Sequence, residues 1–337
     1  MTRRRHDLLD EDDVRVRPGR GKSRPRSKDR PDHAEARDGI VMTVDRGRFT
    51  VELDDGVQLY AVKAREIGRK GIVVGDRVQV IGDLSGDVDT QARIVRRGER
   101  RSILRRTADD TDPVERVVVA NANQLAVVTA TVNPEPRLGL VDRAFVAALD
   151  AGIEPLLVIT KADLKPADEL LSLYGPLDVP VFIVEHKHVP PALRSALADQ
   201  STVLVGHSGV GKSTLVNGLV PEADRATGRV NTVTGRGRHT STSVVALHLP
   251  GGGVIIDTPG IRSFGLAHVD LHRVIRAFPD LEELTEECPR ACSHDEPDCA
   301  LSAVTDDDPL IIQRIESLRR LIRSRGAVSD ESPPGEP

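Results

Sequence analysis

Alternating apolar and polar residues dominate the chain from Gly39 to about Arg97. The alternation occurs in five short runs, GIVMTVD, RFTVELD, VQLYAVK, DRVQVIG and TQARIVR. A period of two is typical of strands that bury one face. Asp54-Asp55-Gly56, between the second and third runs, fits a hairpin turn. Five short strands in about sixty residues predict a small closed barrel of the oligonucleotide-binding (OB) type, and an SH3-like barrel would give nearly the same pattern.

A second pattern starts near Asp112. Apolar runs such as RVVVAN, QLAVVTA, EPLLVIT and TVLVG alternate with helical segments such as GLVDRAFVAALDAG, which Gly152 closes. Strands that are apolar throughout are typical of a parallel sheet with helices on both faces. The sequence therefore predicts an α/β domain with a doubly wound, mostly parallel sheet.

Helical periodicity returns between about Asp270 and Arg325. The last helical segment, DPLIIQRIESLRRLIRSR, has Asp308 as a cap, Pro309 at its first position and apolar residues at helical spacing. The same spacing predicts a basic outer face, which is either a solvated surface or an RNA contact. We therefore expect an α-helical C-terminal domain.

The composition is ordinary for a folded protein, except that aromatic residues are few. The 337 residues are 39% apolar and 29% charged, and the net charge is −5. With five Phe, two Tyr and no Trp, a nucleic-acid surface could not depend mainly on base stacking. The chain has neither an apolar run of about 18 residues nor an apolar N-terminal segment. We therefore expect a cytoplasmic protein without a membrane span or signal peptide.

Positive charge is concentrated in three places, residues 14–30, residues 93–106 and the C-terminal helix at residues 314–325, which suggests contacts to a phosphate backbone from both flanks of the α/β domain. Residues 14–30 contain eight Lys or Arg and one Asp, and residues 93–107 contain seven Arg and one Glu. We interpret residues 1–37 as a disordered basic arm and residues 93–106 as a basic linker on a phosphate backbone. A solvated tail and a solvated charged stretch are the alternatives.

The segment GHSGVGKST fits a phosphate-binding loop, because a strand precedes it and a helix follows. Its glycines let backbone N–H groups face the phosphates, Lys212 reaches the β- and γ-phosphates, and Ser213 ligates Mg²⁺. The residues predicted to contact the nucleotide here are Gly206, His207, Ser208, Gly209, Val210, Gly211, Lys212, Ser213 and Thr214.

Two further segments supply magnesium and γ-phosphate contacts. DTPG follows an apolar strand, so Asp257 can hold Mg²⁺ through water and Gly260 can donate its N–H to the γ-phosphate. GRGRHTSTS, residues 235–243, suits a mobile switch loop whose threonine completes the Mg²⁺ shell. Thr240 and Thr242 both fit this role, and Thr240 is preferred.

ITKAD, at the end of a predicted strand, matches a guanine-recognition motif. Asp163 can accept hydrogen bonds from the guanine N1–H and N2–H₂, Lys161 packs over the base, and Thr160 precedes them. Adenine lacks that donor pair, so the motif predicts GTP. It precedes the phosphate loop, whereas in most GTP-binding proteins it follows. Because nucleotide contacts lie at the carboxyl ends of strands whatever the chain order, a circular permutation explains the arrangement.

All three cysteines lie in CPRACSHDEPDC, together with a histidine. Cys288, Cys292, His294 and Cys299 can supply three thiolates and an imidazole, the closed tetrahedral set of a structural zinc site. We expect one Zn²⁺ per chain, with three unbound thiols as the alternative.

This order of motifs, with a barrel before it and a Cys/His cluster after it, resembles the RsgA family of circularly permuted GTPases from Gly39 to Arg325. The resemblance implies an OB domain, a permuted GTPase domain, a zinc-bearing C-terminal domain, and GTP hydrolysis stimulated by the 30S subunit. In similar proteins the two longer gaps between the zinc ligands are usually one residue longer. EHKHVP also lacks the Ser-Ala dipeptide often found on the guanine side.

The residue that positions the attacking water is not obvious from the motifs. A Gln commonly follows the glycine of the DTPG segment, but this chain has Ile261 there. His239, beside the switch threonine, is the best substitute, and the resemblance implies the same role because the matching histidine is the suspected catalytic residue in the family.

The predicted function is GTP hydrolysis to GDP and phosphate in late assembly of the 30S subunit, by a monomer that binds 16S rRNA and no membrane. Mg²⁺ would accompany GTP. A P-loop ATPase with an accidental TKAD, or a GTP-dependent RNA-binding switch on another ribonucleoprotein, are the alternatives. The predicted multidomain order is a basic arm at 1–37, an OB-fold RNA-binding domain at 38–107, a circularly permuted GTPase domain at 108–268, a zinc-binding helical domain at 269–326 and a disordered tail at 327–337.

Overall fold

The computed structural model describes residues 33–67, 71–87, 90–107, 115–221, 244–258, 265–266, 268–304 and 309–325. Strands in these ranges are β1 Arg37–Asp45, β2 Arg48–Leu53, β3 Gln58–Lys63, β4 Arg77–Gly82, β5 Ala92–Arg97, β6 Ile103–Arg106, β7 Arg116–Ala120, β8 Gln124–Ala130, β9 Glu154–Thr160, β10 Val181–Val184, β11 Ser201–Val205, β12 Val245–His248 and β13 Val254–Asp257.

The α-helices in the same ranges lie mostly between and after the strands of the second half. They are α1 Leu138–Asp150, α2 Asp168–Tyr174, α3 Pro191–Leu197, α4 Lys212–Leu219, α5 Leu271–Ile275, α6 Pro279–Glu283 and α7 Pro309–Ser324. Within the described part of the chain, no helix combines the length and apolar character needed to cross a membrane.

The first five strands form a closed barrel in the order β1-β2-β3-β5-β4, because β4 also pairs with β1. The β3–β5 pair is parallel and the other pairs of the barrel are antiparallel. This topology is that of an OB-type barrel, so the prediction is confirmed and the SH3-like alternative is excluded. Val41, Val51, Val80 and Ile94 fill its interior with fully buried side chains.

The predicted α/β sheet is also confirmed. Its strand order is β10-β9-β8-β11-β13-β12, in which the first five strands are parallel and β12 is antiparallel to β13. If the strands are renumbered from β11, the strand before the phosphate loop, then β11, β12 and β13 are first to third and β8, β9 and β10 are fourth to sixth. The spatial order of the sheet is then 6-5-4-1-3-2. A regular α/β sheet is therefore preserved although the chain enters it at its fourth strand.

One apolar run does not join this sheet, and here the sequence-based assignment was wrong. RVVVAN forms β7, which pairs antiparallel with β6 in a separate two-stranded sheet. The segment interpreted as a basic linker is thus partly a strand. Leu104 of β6 and Val119 of β7 are fully buried in the main core, which explains why both strands contain apolar runs without being central strands.

The predicted basic outer face of α7 holds for Arg323, whose side chain is 65% exposed, but not for Arg314 and Arg320. Arg314 binds Asp280 through two hydrogen bonds of 2.6 and 2.8 Å, and Arg320 pairs with the buried Asp142 of α1 at 3.2 Å. The helix packs along α1, with Leu318 fully buried. Arg320 therefore joins this helix to α1 and Arg314 joins it to α6, because each of the two reaches a carboxylate of another element. The predicted cap at Asp308 lies outside the described residues.

Candidate functional site

The phosphate loop, residues 206–214, connects β11 to α4 at the carboxyl edge of the sheet. Gly206 and Gly211 have φ values of +153° and +100°, which favour glycine. A Cβ on Gly206 would also clash with the carbonyl oxygen of Val128. Lys212 folds over the loop and donates to the carbonyl oxygens of Gly206 and His207, the latter at 3.0 Å. The loop thus has the backbone curvature that phosphate binding needs.

The guanine motif, residues 159–163, contacts the phosphate loop directly. The Lys161 Nζ donates to the carbonyl oxygens of Gly209, at 2.9 Å, and Asn133. The Thr160 Oγ1 donates to the Val210 carbonyl oxygen at 2.5 Å. Lys161 itself has a φ of +60°, which turns the chain away from the end of β9. The fold therefore brings together two motifs that lie far apart in the sequence.

Asp163 is held by a turn that the sequence analysis did not identify as part of the site. The His186 backbone N–H donates to its Oδ1 at 2.9 Å, and this bond holds the pKa of Asp163 below its usual range. His186 and Lys187 both have left-handed backbones, with φ of +48° and +61°. The sequence does offer a signal for this turn, because EHKHVP directly follows an apolar strand. The segment lacks the Ser-Ala pair that usually marks the guanine side.

Asp257 ends β13 beside the phosphate loop. Thr258 Oγ1 donates to the Leu204 carbonyl oxygen at 2.6 Å, which fastens this strand end to β11. Burial raises the pKa of Asp257, and the charge of Lys212 opposes that rise. The Oδ1 of Asp257 is buried and has no hydrogen-bond partner among the described residues. A buried carboxylate oxygen of this kind fits an oxygen-ligated divalent cation such as Mg²⁺.

Several predicted site residues cannot be placed. Gly260 and the whole switch segment 235–243, which includes His239, Thr240 and Thr242, lie outside the described residues.

The Cys/His cluster forms a compact donor set. The ligand atoms of Cys288, Cys292, His294 and Cys299 all lie within 4.8 Å of one another. Cys288 Sγ is 3.7 Å from both Cys299 Sγ and His294 Nδ1. Edges of this length fit a tetrahedron around an ion with metal–sulfur bonds of about 2.3 Å, the value for zinc. The four residues could therefore hold a metal ion despite the shortened gaps.

Two local features bring the four ligands together despite the shorter spacing between them. Ala291 and His294 have left-handed backbones, with φ of +62° and +71°. Glu296 accepts from the Ser293 hydroxyl at 2.8 Å and from the Ser293 and Asp295 backbone N–H groups at 3.0 to 3.2 Å. The Ser293 bonds lower the pKa of Glu296 to about 2. This carboxylate orders the turn that carries Cys292 and His294.

Comparisons with known proteins agree with these features. The RsgA GTPase family model matches residues 97–267. The small ribosomal subunit biogenesis GTPase RsgA of Pseudomonas aeruginosa PAO1 is 42% identical over 241 residues, which cover 68% of this chain and 70% of that protein. The same-named protein of Pseudomonas fluorescens SBW25 is 43% identical over 217 residues, covering 61% of this chain and 63% of that protein.

Two solved structures share the fold. YjeQ from Thermotoga maritima superposes with a TM-score of 0.63 at 23% identity, covering 86% of this chain and 98% of that one. YloQ, described as a circularly permuted GTPase, gives 0.62 at 23% identity and covers 91% of this chain and all of that one. Together with the family model and the relatives, these matches establish that the chain belongs to the RsgA GTPase family.

Proposed function

We propose that this chain binds GTP, hydrolyses it to GDP and phosphate, and does so on the assembling 30S ribosomal subunit. The observation that carries the proposal is the contact between the guanine motif and the phosphate loop, made by Lys161 with Gly209 at 2.9 Å. Relatives at 42–43% identity carry the name small ribosomal subunit biogenesis GTPase, which supports the choice of subunit.

Each part of the nucleotide has residues assigned to it in this proposal. Asp163 accepts from guanine, and Lys161 lies beside the base. The backbone N–H groups of the phosphate loop and Lys212 bind the phosphates. Asp257, Ser213 and Thr240 hold the Mg²⁺ that accompanies GTP, an ion that neutralises phosphate charge when bound. Gly260 contacts the γ-phosphate.

His239 is proposed to position the attacking water. The support is chemical, since Ile261 has no polar atom for this task and an imidazole can bond to water. The Cys/His cluster is proposed to bind one structural Zn²⁺, for which the 3.7 Å edges and the three thiol ligands provide the support.

Ribosomal RNA is proposed to contact the barrel side of the molecule. Arg93, Arg96 and Arg101 are exposed there. Residues 279–304, by contrast, contain eight Asp or Glu and one Arg, so the surface around the Cys/His cluster repels phosphate. We therefore place the phosphate contacts on the barrel and the β6–β7 hairpin.

A turnover assay tests the proposal. Phosphate release from GTP and from ATP should be measured with and without isolated 30S subunits, using Lys212→Ala as the binding-deficient control. We expect turnover of GTP only, with strong stimulation by 30S subunits. Equal turnover of ATP would contradict the guanine assignment, and unstimulated turnover at saturating 30S would contradict the ribosomal partner.

A further inference from the structure

Strand β12 lies between the barrel and the nucleotide site and pairs with both. On one edge it pairs with β13 from Val245 opposite Asp257 to His248 opposite Val254. On its other edge Val245 lies opposite Thr43 of the barrel strand β1. Thr43, Val245 and Asp257 therefore form one row across three strands, so the barrel is two strands away from the candidate Mg²⁺ ligand.

A second contact joins the opposite end of β12 to the barrel. His248 Nε2 lies 2.7 Å from Glu52 Oε1 on β2. The Glu52 side chain is only 15% exposed, and it also accepts from Gln58 Nε2 at 2.8 Å, so its position is fixed by the barrel. Thr43 in turn donates to Thr50 of β2 at 2.8 Å. We call Thr43, Glu52, Val245 and His248 the seam.

The seam contains far less β-pairing than the sheet on its other side. Its β-pairing consists of the single opposed pair Thr43–Val245, whereas β12 and β13 are opposed over four pairs. A displacement of the β12–β13 ladder can therefore be passed to the barrel through the Thr43–Val245 pair and the His248–Glu52 contact. The alternative is a purely structural role, because an uncovered β12 would be an exposed sheet edge.

We propose that the seam couples the state of the nucleotide site to the barrel. The inference rests on the proposed function, which places Mg²⁺ at Asp257. A change at Asp257 between the GDP and GTP states would displace Val245 in the same row, and with it Thr43 and the barrel surface that meets RNA. Linkage then requires that RNA bound to the barrel alter nucleotide affinity by the same factor.

Hydrogen–deuterium exchange on the full-length protein tests the coupling without the ribosome. Exchange should be compared between the GDP-bound and GTP-analogue-bound states for wild type, Glu52→Gln and His248→Ala. We expect wild-type peptides from β1 and β2 to differ between the two states, and both variants to show a smaller difference, because they weaken one of the two contacts of the seam. Nucleotide affinity, measured with fluorescent GDP, should stay unchanged because neither residue belongs to the nucleotide site.

A matched control is Asp55→Asn, which removes the barrel ion pair between Arg37 and Asp55 at 2.6 Å, away from β12. It should keep the wild-type difference. If both seam variants keep that difference as well, or if wild type shows none while binding both nucleotides, the coupling is refuted and β1 only covers a sheet edge.

Co-sedimentation with 30S subunits separates this inference from the proposed partner. In wild type, affinity should differ between the GTP-analogue and GDP states, within the range of about 5- to 150-fold that is usual for coupled sites. In both seam variants the ratio should fall toward one. Exchange coupling without 30S binding would contradict the partner and leave the coupling intact; a wild-type ratio retained in both seam variants would overturn the coupling.

Discussion

Single residues at strand ends carry the chemistry of this protein. Asp163 lies just beyond β9 and Asp257 ends β13, whereas Lys212 follows β11. The surroundings of the two carboxylates shift their pKa values in opposite directions. A backbone hydrogen bond lowers the pKa of Asp163, but burial raises that of Asp257. In the proposed function, the first carboxylate is the hydrogen-bond acceptor for guanine, and the second, which is buried, is a ligand of the cation.

Replacing Asp163 tests guanine selection. Asp163→Asn exchanges a carboxylate acceptor for an amide, so it should lower GTP affinity by at least about tenfold and shift preference toward xanthosine nucleotides. Competition binding with GTP, XTP and ATP measures this. Asp168→Asn, at an exposed position in the first turn of α2, is the control and should behave as wild type. Wild type that binds ATP as well as GTP would contradict the assignment.

Replacing His239 separates binding from turnover. His239→Ala should keep GTP affinity but lower 30S-stimulated turnover by about 10²-fold or more, since water positioning and nucleotide binding use different groups. Lys212→Ala should weaken both. Single-turnover hydrolysis and nucleotide titration supply the two measurements, with His272→Ala on α5 as a control. Unchanged stimulated turnover in His239→Ala would remove this residue from the mechanism.

At the scale of elements, α7 attaches the C-terminal segment to the GTPase part through arginines. Arg320 reaches Asp142 on α1 and lies over the Tyr174 ring of α2 at 5.0 Å. Arg319 donates to the carbonyl oxygen of His294 at 3.2 Å. One helix therefore contacts both the sheet-covering helices and the Cys/His cluster, which fixes the cluster relative to the nucleotide domain.

Removing Arg320 should destabilise the fold in a pH-dependent way. Burial raises the pKa of Asp142, and Arg320 opposes that rise. Arg320→Ala leaves a buried charge without its partner, which should cost about 3 kcal/mol or more at pH 7. Because the folded state then prefers protonated Asp142, the loss should shrink as the pH falls through its raised pKa.

Urea unfolding of Arg320→Ala near neutral pH and in mild acid measures this effect. Arg323→Ala is the matched control. Arg323 is on the same helix as Arg320, but its ion pair with Asp295 is exposed to solvent, so its loss should shift the unfolding midpoint little. A loss that is equal at both pH values would exclude Asp142 as its cause.

Zinc content tests the Cys/His cluster. Protein purified without chelators should contain one zinc per chain, and Cys292→Ser should lose it and loosen the C-terminal segment, because metal binding in small sites contributes folding energy. Elemental analysis and limited proteolysis provide the measurements. Glu286→Gln, an exposed residue nearby, should retain the metal. Wild type without zinc would contradict the site.

At the scale of the whole molecule, one continuous sheet of eleven strands runs from the barrel through the nucleotide domain. The circular permutation leaves the phosphate loop, the guanine motif and Asp257 at the carboxyl edge of the sheet, because strand position and not chain order decides which loops meet. It also places the barrel before the sheet and the Cys/His cluster after it in the sequence. Arg93, Arg96 and Arg101 are exposed on the barrel side, whereas residues 279–304 contain eight acidic residues and one Arg.

RNA affinity should therefore depend on salt through the barrel side. Arg93→Ala with Arg96→Ala should weaken 30S binding and make it depend less steeply on salt concentration. The reason is that each phosphate contact that is lost reduces the number of counterions released on binding. Arg276→Ala with Arg290→Ala, on the C-terminal side, is the matched control and should leave the salt dependence unchanged. Sedimentation over a series of KCl concentrations measures both. Equal effects of the two pairs would contradict a barrel-side contact.

The sequence by itself determined the local chemistry. The phosphate loop, the guanine motif and the spacing of the Cys/His ligands are short segments whose backbone and side-chain types suffice for their tasks. The apolar strands of the parallel sheet were predictable for a similar reason, since burial on both faces leaves a continuous apolar run. Barrel closure was predictable from five alternating strands, but alternation reports only which face is buried and not which strand pairs with which.

Pairing between distant segments was decided by the tertiary structure. Only the fold showed that β3 pairs with β5, that β7 leaves the main sheet for β6, and that β1 meets β12. Helical periodicity placed the arginines of α7 on a solvent-facing side. It could not show that Arg314 and Arg320 meet carboxylates of other elements, because periodicity describes one helix only. The turn at His186 joined the site for the same reason. These features depend on residues far apart in the chain, and their contacts form only when the core brings the elements together.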